Sequence, residues 1–178
     1  MTALLSLPAW ALTPDAVFEI AGASIVKVAV LDAKGAPVKQ SSGVVVKPGE
    51  VITNCNAVSG EVAALVVFRG GKWALAQLLG TDKQLNLCHL RWRGDEEIGR
   101  PVKGVVPVES IRKGQVVYAV GAPQGMELGS SSSIVAGVGR HPERGAVIQL
   151  EAPVAQRASG GGLFDREGRL VGFTALVL

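Results

Sequence analysis

The residue best suited to covalent chemistry in this chain is a serine that stands in front of a glycine run. Ser159 precedes Gly160, Gly161 and Gly162, with short apolar runs typical of strands on either side. Glycines permit the tight turn that would present the Ser159 hydroxyl. A serine hydroxyl is a poor nucleophile unless a neighbouring base takes its proton, so chemistry at Ser159 depends on a partner elsewhere in the chain.

The composition is that of an ordinary folded protein. With 178 residues, of which 48% are hydrophobic, the chain can bury a full core as one domain or as two small fused barrels. The net charge of +3 comes from scattered lysines and arginines, which gives no reason to expect a nucleic-acid partner. The cysteines and histidines, at positions 55, 88, 89 and 141, lack the spacing of metal ligands, and we predict no metal and no other cofactor.

The first residues have the character of an export signal. Residues 3–7 are apolar apart from Ser6, and Ala9, Trp10 and Ala11 have the small-x-small form of a cleavage site. A basic start is missing, so we interpret residues 1–12 as the remnant of a signal peptide, with a simple N-terminal tail as the alternative. The first interpretation predicts a periplasmic or otherwise exported protein. No stretch approaches the roughly 18 apolar residues of a membrane span.

Short apolar runs separated by turn residues dominate the rest of the chain. Thr13, Pro14 and Asp15 are typical of a helix start, so a short helix is expected first. The runs that follow have strand lengths, at residues 24–31, 43–46, 51–53, 62–68, 73–79 and 85–92, and then at 102–108, 115–120, 131–138, 146–151, 161–164 and 169–178. The polar stretch 93–100 is interpreted as a linker. The pattern predicts an all-β fold of two antiparallel barrels, over residues 13–92 and 101–178, with a plain β-sandwich that lacks a site as the alternative.

Several short strings in a fixed order make this prediction more specific. They are SGVVV (42–46), VITN (51–54), VGAPQG (120–125), SSIVAGV (132–138), IQLEAP (148–153) and RLVGFT (169–174). Their order and spacing around Ser159 resemble the trypsin-like serine peptidases, and within them the HtrA-type bacterial periplasmic proteases. The resemblance covers the chain from about Ser24 to its last residue. It implies two six-stranded-type β-barrels, the second of them incomplete at the C-terminus.

The resemblance also implies roles for individual residues. Ser159 falls on the nucleophile, Asn56 on the position of the histidine and Asn86 on that of the aspartate. The backbone N–H groups of Ser159 and Arg157 fall on the oxyanion hole, with arginine in place of the usual glycine. The strand segment that pairs with an extended substrate falls on the last residues of the chain, Ala175, Leu176 and Val177.

The two asparagines remove the groups that handle protons. A carboxamide donates and accepts hydrogen bonds but does not titrate in the useful range, so Asn56 orients the hydroxyl without taking its proton. Asn86 lacks the negative charge that stabilises an imidazolium. His89 is turned to the opposite strand face from Asn86, His141 falls in a polar turn, and no motif places a lysine near Ser159. We therefore predict that the chain does not hydrolyse peptides at a useful rate.

The two cysteines lie beside the two asparagine positions. Cys55 precedes Asn56, and Cys88 lies two residues after Asn86, on the same face of that strand. A Cys55–Cys88 disulfide is therefore geometrically plausible and would agree with export. Two buried free thiols remain the alternative.

These observations favour a catalytically silent, trypsin-like module that binds a peptide or protein segment or serves as a scaffold. Ser159 then persists for binding or as a small residue that packs in its turn. An active HtrA-like endopeptidase with engineered or misregistered asparagines is one alternative, and a purely structural domain of an exported assembly is another. The resemblance implies a further last strand, so we expect either an open sheet edge or a shortened sequence. An open edge would be filled by a partner or a second copy of the chain, so a homo-oligomer is one expected form.

Overall fold

The computed structural model describes residues 12–58, 64–122, 127–143, 145–153 and 158–174. It begins with a short helix, α1 (Pro14–Gly22), whose first turn is capped by Thr13. The Thr13 hydroxyl oxygen accepts from the Ala16 N–H at 3.3 Å, and Pro14 opens the helix where no donor is lost. The predicted N-terminal helix is thereby confirmed. Within the described ranges, no helix has the length and apolar character needed to cross a membrane.

The first half of the chain forms a closed antiparallel barrel. Its strands are β1 (Ile25–Leu31), β2 (Pro37–Lys47), β3 (Glu50–Asn54), β4 (Ala64–Arg69), β5 (Lys72–Asp82) and β6 (Leu87–Trp92), in the order β1-β2-β3-β6-β5-β4. β1 pairs with β4 and closes the barrel, which leaves no unpaired strand edge. Alternate residues of each strand face inward, so Val26, Val28 and Val30 of β1 share one apolar core with Val51 and Leu90.

The second half forms a curled, open antiparallel sheet. Its strands are β7 (Val116–Gly121), β8 (Gly129–His141), β9 (Gly145–Leu150), β10 (Gly162–Phe164) and β11 (Leu170–Phe173), in the order β11-β10-β7-β8-β9. It covers a second apolar cluster that contains Val117, Val135 and Leu163. The prediction of an all-β double barrel is confirmed: the described residues form one closed barrel and one half-barrel. The incompleteness of the second barrel at the C-terminus stays a prediction, because residues 175–178 lie outside the described ranges.

The prediction of a strand at residues 102–108 is wrong. This segment is irregular, and it pairs with the sheet only through a parallel bridge between Val105 and Leu170. Pro101 precedes it and Pro107 lies within it, and a proline cannot donate a hydrogen bond to a sheet ladder. Val106 and Val108 of this segment pack with the second apolar cluster, Val102 packs against the cluster at the junction of the two halves, and Val105 is exposed.

A third apolar cluster joins the two halves of the molecule. Ile25 and Val44 of the first barrel meet Val120 and Phe164 of the second sheet, and Ala21 of α1 belongs to the same cluster. Phe164 is fully buried there, and burial of a side chain of this size stabilises a fold by about 1.5–3 kcal/mol. This junction fixes how the turns of the second sheet lie against the strands of the first barrel.

A small ionic network lies on the outer face of the first barrel. Glu50 accepts a hydrogen bond from Arg91, and its Oε2 lies 3.0 Å from the His89 Nε2. Glu50 and Arg91 are direct partners across β3 and β6. His89 is therefore part of this network, and its side chain is 35% exposed. The hydrogen bond from Arg91 is the main cause that lowers the pKa of Glu50 below its usual 4.5, although partial burial opposes this shift.

Glu50→Gln is expected to destabilise the protein at neutral pH but not in acid. A carboxylate whose pKa is lowered by folding stabilises the fold above its unfolded pKa, and the contribution is lost as the pH falls through the folded value. Urea unfolding should show a difference between the two proteins at about pH 7 that shrinks below about pH 4.5. Glu97→Gln, at an exposed pair with Arg100, is the control and should change little at either pH. A difference that persists at about pH 2 would contradict the assignment.

Candidate functional site

Ser159 lies in a turn that the first barrel holds from one side. β2 supplies two donors to the Ser159 carbonyl, the Ser42 N–H at 3.2 Å and the Ser41 hydroxyl at 3.3 Å. Gly160 has φ +77°, and a Cβ at this position would lie 2.3 Å from the Ser41 Oγ and from the Ser42 carbonyl oxygen. The close approach of β2 therefore requires glycine directly after Ser159.

Thr174, which follows β11, holds the same turn from the second sheet. Its carbonyl accepts from the Gly160 N–H at 3.2 Å, and its N–H donates to the Gly161 carbonyl at 3.0 Å. Its hydroxyl is within donating distance of the carbonyls of Ala158 and Gly161. Both halves of the molecule thus fix the turn, and Ser159 is half-buried at their junction.

Asn56 and Asn86 are joined by a hydrogen bond from backbone to side chain. β3 ends at Asn54, and the chain turns into α2 (Cys55–Val58), which carries Asn56. Asn86 has φ +56°, a left-handed conformation in which asparagine is enriched. Its Oδ1 accepts from the Asn56 N–H at 3.0 Å, and its carbonyl accepts from the Cys55 N–H at 3.0 Å. Asn86 therefore holds the first turn of α2 in place.

A disulfide joins the same two segments. Cys55 and Cys88 are bonded, with their Cα atoms 4.9 Å apart, and Cys88 lies in the core of the first barrel at 2% exposure. The predicted disulfide is confirmed, and the alternative of two free thiols is wrong. A covalent bond and a hydrogen bond thus fix α2 against β6 beside Asn56 and Asn86.

Ser159, Asn56 and Asn86 line one cleft of about 530 Å³, where the Ser159 turn meets the first barrel. The other described residues in its lining are Pro37, Val38, Lys39, Gln40, Ser41, Asn54 and Ala57. The structure thus brings together the three residues that the sequence singled out. The residues predicted for the oxyanion hole and for substrate pairing, Arg157, Ala175, Leu176 and Val177, lie outside the described ranges, so their roles stay predictions.

Asn54 contacts Ser159 directly, although no sequence pattern identified it as a site residue. Its Nδ2 donates to the Ser159 Oγ at 3.2 Å and to the Thr174 carbonyl at 3.2 Å. Because a carbonyl only accepts, the contact with Thr174 fixes which end of the amide is the donor. The only signal in the sequence was a polar residue at the end of an apolar strand.

Lys39 also lines this cleft, although no sequence motif placed a lysine there. Its Nζ donates to the Asn56 carbonyl at 3.4 Å. The two residues are 17 positions apart, and they meet because the start of β2 lies beside α2. Strand periodicity alone does not reveal a contact of this kind.

The cleft offers hydrogen-bonding groups rather than the usual proton acceptors. Its described polar side chains are carboxamides, hydroxyls and one ammonium, from Gln40, Asn54, Asn56, Asn86, Ser41, Ser159 and Lys39. Carboxamides and hydroxyls orient a polar ligand but do not titrate near neutral pH. Neither histidine reaches the cleft lining: His89 pairs with Glu50, and the His141 Nδ1 accepts from the Glu143 N–H in the turn between β8 and β9.

A closed barrel and a half-barrel, with a serine turn fixed at their junction, define the trypsin-like double-barrel class. A family model described as a trypsin-like peptidase domain matches residues 41–173. The chain therefore belongs to the trypsin-like peptidase family, as the order of its motifs indicated.

Individual relatives confirm the similarity to HtrA-type proteases. The chain is 34% identical over 150 residues to a probable periplasmic serine endoprotease DegP-like of Brucella suis, which covers 79% of this chain and 28% of that protein. It is 30% identical over 144 residues to the serine endoprotease DegS of Haemophilus influenzae, which covers 76% of this chain and 41% of that protein. The crystal structure of Deg5 has a TM-score of 0.77 at 22% identity, over 91% of this chain and 84% of that chain, and supports the fold.

The relatives also bear on location. The Brucella suis protein is named as periplasmic, and so is a DegP-like protein of Hahella chejuensis that is 30% identical over 150 residues, or 81% of this chain and 31% of that protein. The prediction of a periplasmic or otherwise exported protein is confirmed on this basis. The chain spans only about 28 to 41% of the lengths of these relatives.

Proposed function

We propose that this chain is a catalytically silent member of its family that binds a peptide or protein segment in the cleft beside Ser159. The observation that carries the proposal is the chemistry of the cleft. Asn56 and Asn86 supply carboxamides there, at the positions where the order of motifs implies histidine and aspartate. Attack by Ser159 needs a base, and loss of such a base typically costs on the order of 10⁶ in kcat.

Lys39 does not replace the missing base. A lysine serves as a general base when burial keeps its amine neutral, and Lys39 is exposed, with its Nζ directed at the Asn56 carbonyl. The Asn54 amide donates to the Ser159 Oγ, so this contact engages the hydroxyl oxygen as an acceptor and removes no proton from it.

The construction of the cleft supports binding. The Ser159 turn is held by Ser42 and Thr174, and α2 is held by Asn86 and the disulfide, so the walls are ordered before a ligand arrives. An ordered site loses little conformational entropy on binding. Carboxamides and hydroxyls match the N–H and C=O groups of an extended peptide, and the relatives named as endoproteases make a polypeptide ligand the natural candidate.

Two measurements on the unaltered chain test this function. A fluorophosphonate probe, which reacts only with an activated serine, should leave Ser159 unlabelled. An NMR titration with an extended heptapeptide should shift the backbone amide signals of Ser41, Asn56 and Ser159 more than that of Lys47 at the far end of β2. Labelling of Ser159 would favour an active endopeptidase instead. The absence of any shift at millimolar peptide would favour a purely structural domain.

A further inference from the structure

The charge of the cleft indicates the kind of peptide that it binds. Lys39 is the one charged side chain among the described residues in its lining, and no described lining residue is a carboxylate. The Lys39 Nζ lies 3.4 Å from the Asn56 carbonyl oxygen, which places the ammonium on the α2 side of the cleft. One positive charge among otherwise neutral described groups favours an anionic ligand.

β2 sets the position of this charge relative to Ser159. Lys39 pairs with Val30 and Ser41 pairs with Val28, so the two side chains project from the same face of the strand. Two residues along a strand span about 7 Å. The Ser41 hydroxyl donates to the Ser159 carbonyl at 3.3 Å, so Lys39 is attached to β2 about 7 Å from a residue that touches the serine turn. One peptide segment is long enough to reach both.

A second observation, at Asn54, indicates a ligand that brings an N–H group. Asn54 is 3% exposed, and its Nδ2 donates hydrogen bonds to the Ser159 Oγ and to the Thr174 carbonyl. Its Oδ1 is buried and receives no hydrogen bond from any described residue. Buried acceptors are nearly always satisfied, and Asn54 lines the cleft, so this oxygen suits a donor carried by the ligand.

From these contacts we propose that the cleft is a carboxylate-binding peptide site. Lys39 pairs with a carboxylate of the bound segment, and the Asn54 Oδ1 accepts an N–H from the same segment. This proposal deepens the peptide binding proposed above and rests on it. A side-chain carboxylate and a C-terminal carboxylate share this chemistry. Because an ion pair near the surface contributes modestly, the expected preference over a matched neutral peptide is about fivefold.

Three peptides test the preference and identify the source of the carboxylate. All three are heptapeptides of alanine and valine that differ only in the central residue and in the C-terminal group. Each is titrated at low salt and followed by NMR. The first has a central aspartate and an amidated C-terminus, the second a central asparagine and an amidated C-terminus, and the third a central asparagine and a free C-terminus. At least one of the two charged peptides should bind about fivefold more tightly than the neutral one, and the preference should shrink as salt is added.

Variants of the exposed residue Lys39 then test whether its charge causes the preference for a carboxylate. Lys39→Gln should abolish it, and Lys39→Arg, which keeps the charge, should retain it. Lys47→Gln is the matched control, because it removes the same charge from an exposed position at the other end of β2, outside the cleft lining. In the unaltered chain, the side-chain amide signals of Asn54 should shift with every peptide that binds.

The outcomes separate the two proposals. Equal binding of all three peptides, or a preference that survives Lys39→Gln, would overturn the carboxylate site and leave peptide binding in place. Side-chain signals of Asn54 that stay unmoved while peptides bind would overturn its part in the site. If none of the three peptides binds at millimolar concentration, both the proposed function and the carboxylate site are overturned.

Discussion

A chain that carries Asn56→His together with Asn86→Asp should be labelled at Ser159 by a fluorophosphonate at least about a hundredfold faster than the unaltered chain. A positioned general base contributes at least about 10² in rate, and its loss from a complete triad costs on the order of 10⁶ in kcat. The backbone frame suits this change, because the Asn86 Oδ1 already accepts from the Asn56 N–H at 3.0 Å and an aspartate keeps that acceptor. Aspartate also tolerates the left-handed backbone at this position. The rate is read from the time course of labelling by mass spectrometry.

The single variants are the controls for this experiment. Asn86→Asp alone should give no gain, because it supplies no base to Ser159. Asn56→His alone should gain less than the pair, since a missing aspartate costs about 10⁴ in a related triad through the wrong imidazole tautomer. Adding Ser159→Ala should abolish labelling. If the double variant folds with its disulfide intact and still does not react, the two asparagines are not what silences the site.

Removal of the disulfide should lower the free energy of unfolding more than Glu50→Gln does. The bond between Cys55 and Cys88 closes a loop with a sequence separation of 33 residues, and a loop of this size corresponds to about 3–4 kcal/mol through the restriction of the unfolded chain. The paired variant Cys55→Ala and Cys88→Ala should lower the free energy of unfolding by this amount. Its Tm should fall by about 6–16 °C, as followed by calorimetry.

Chemical reduction provides a matched comparison. The unaltered chain in reductant should lose nearly the same stability as the paired alanine variant, whereas the variant itself should not respond to reductant. Alanine is chosen because Cys88 is buried and a serine hydroxyl there would lack a partner. A loss below about 1 kcal/mol would mean that the Asn86 contacts with Cys55 and Asn56 hold α2 nearly as well without the bond.

Local structure followed from the sequence where neighbouring residues decide it. The helix start at Thr13 and Pro14 was predicted because capping depends on a few adjacent residues. The strands of the first barrel were predicted because apolar runs of strand length, such as the one that contains Val28 and Val30, are separated by turn residues. At residues 102–108 the apolar character was read as a strand, but strand pairing needs backbone donors at the right places, and prolines remove them.

The family, the all-β architecture and the residue types at Ser159, Asn56 and Asn86 could be predicted from the sequence, because motif order and side-chain chemistry are properties of the linear chain. What touches the serine hydroxyl, and which charged side chain lines the cleft, depends on tertiary packing. Asn54 is 105 residues from Ser159, and Lys39 is 17 residues from Asn56. Such contacts exist only once the second sheet packs against the first barrel and β2 lies beside both α2 and the Ser159 turn, a geometry that no local pattern encodes.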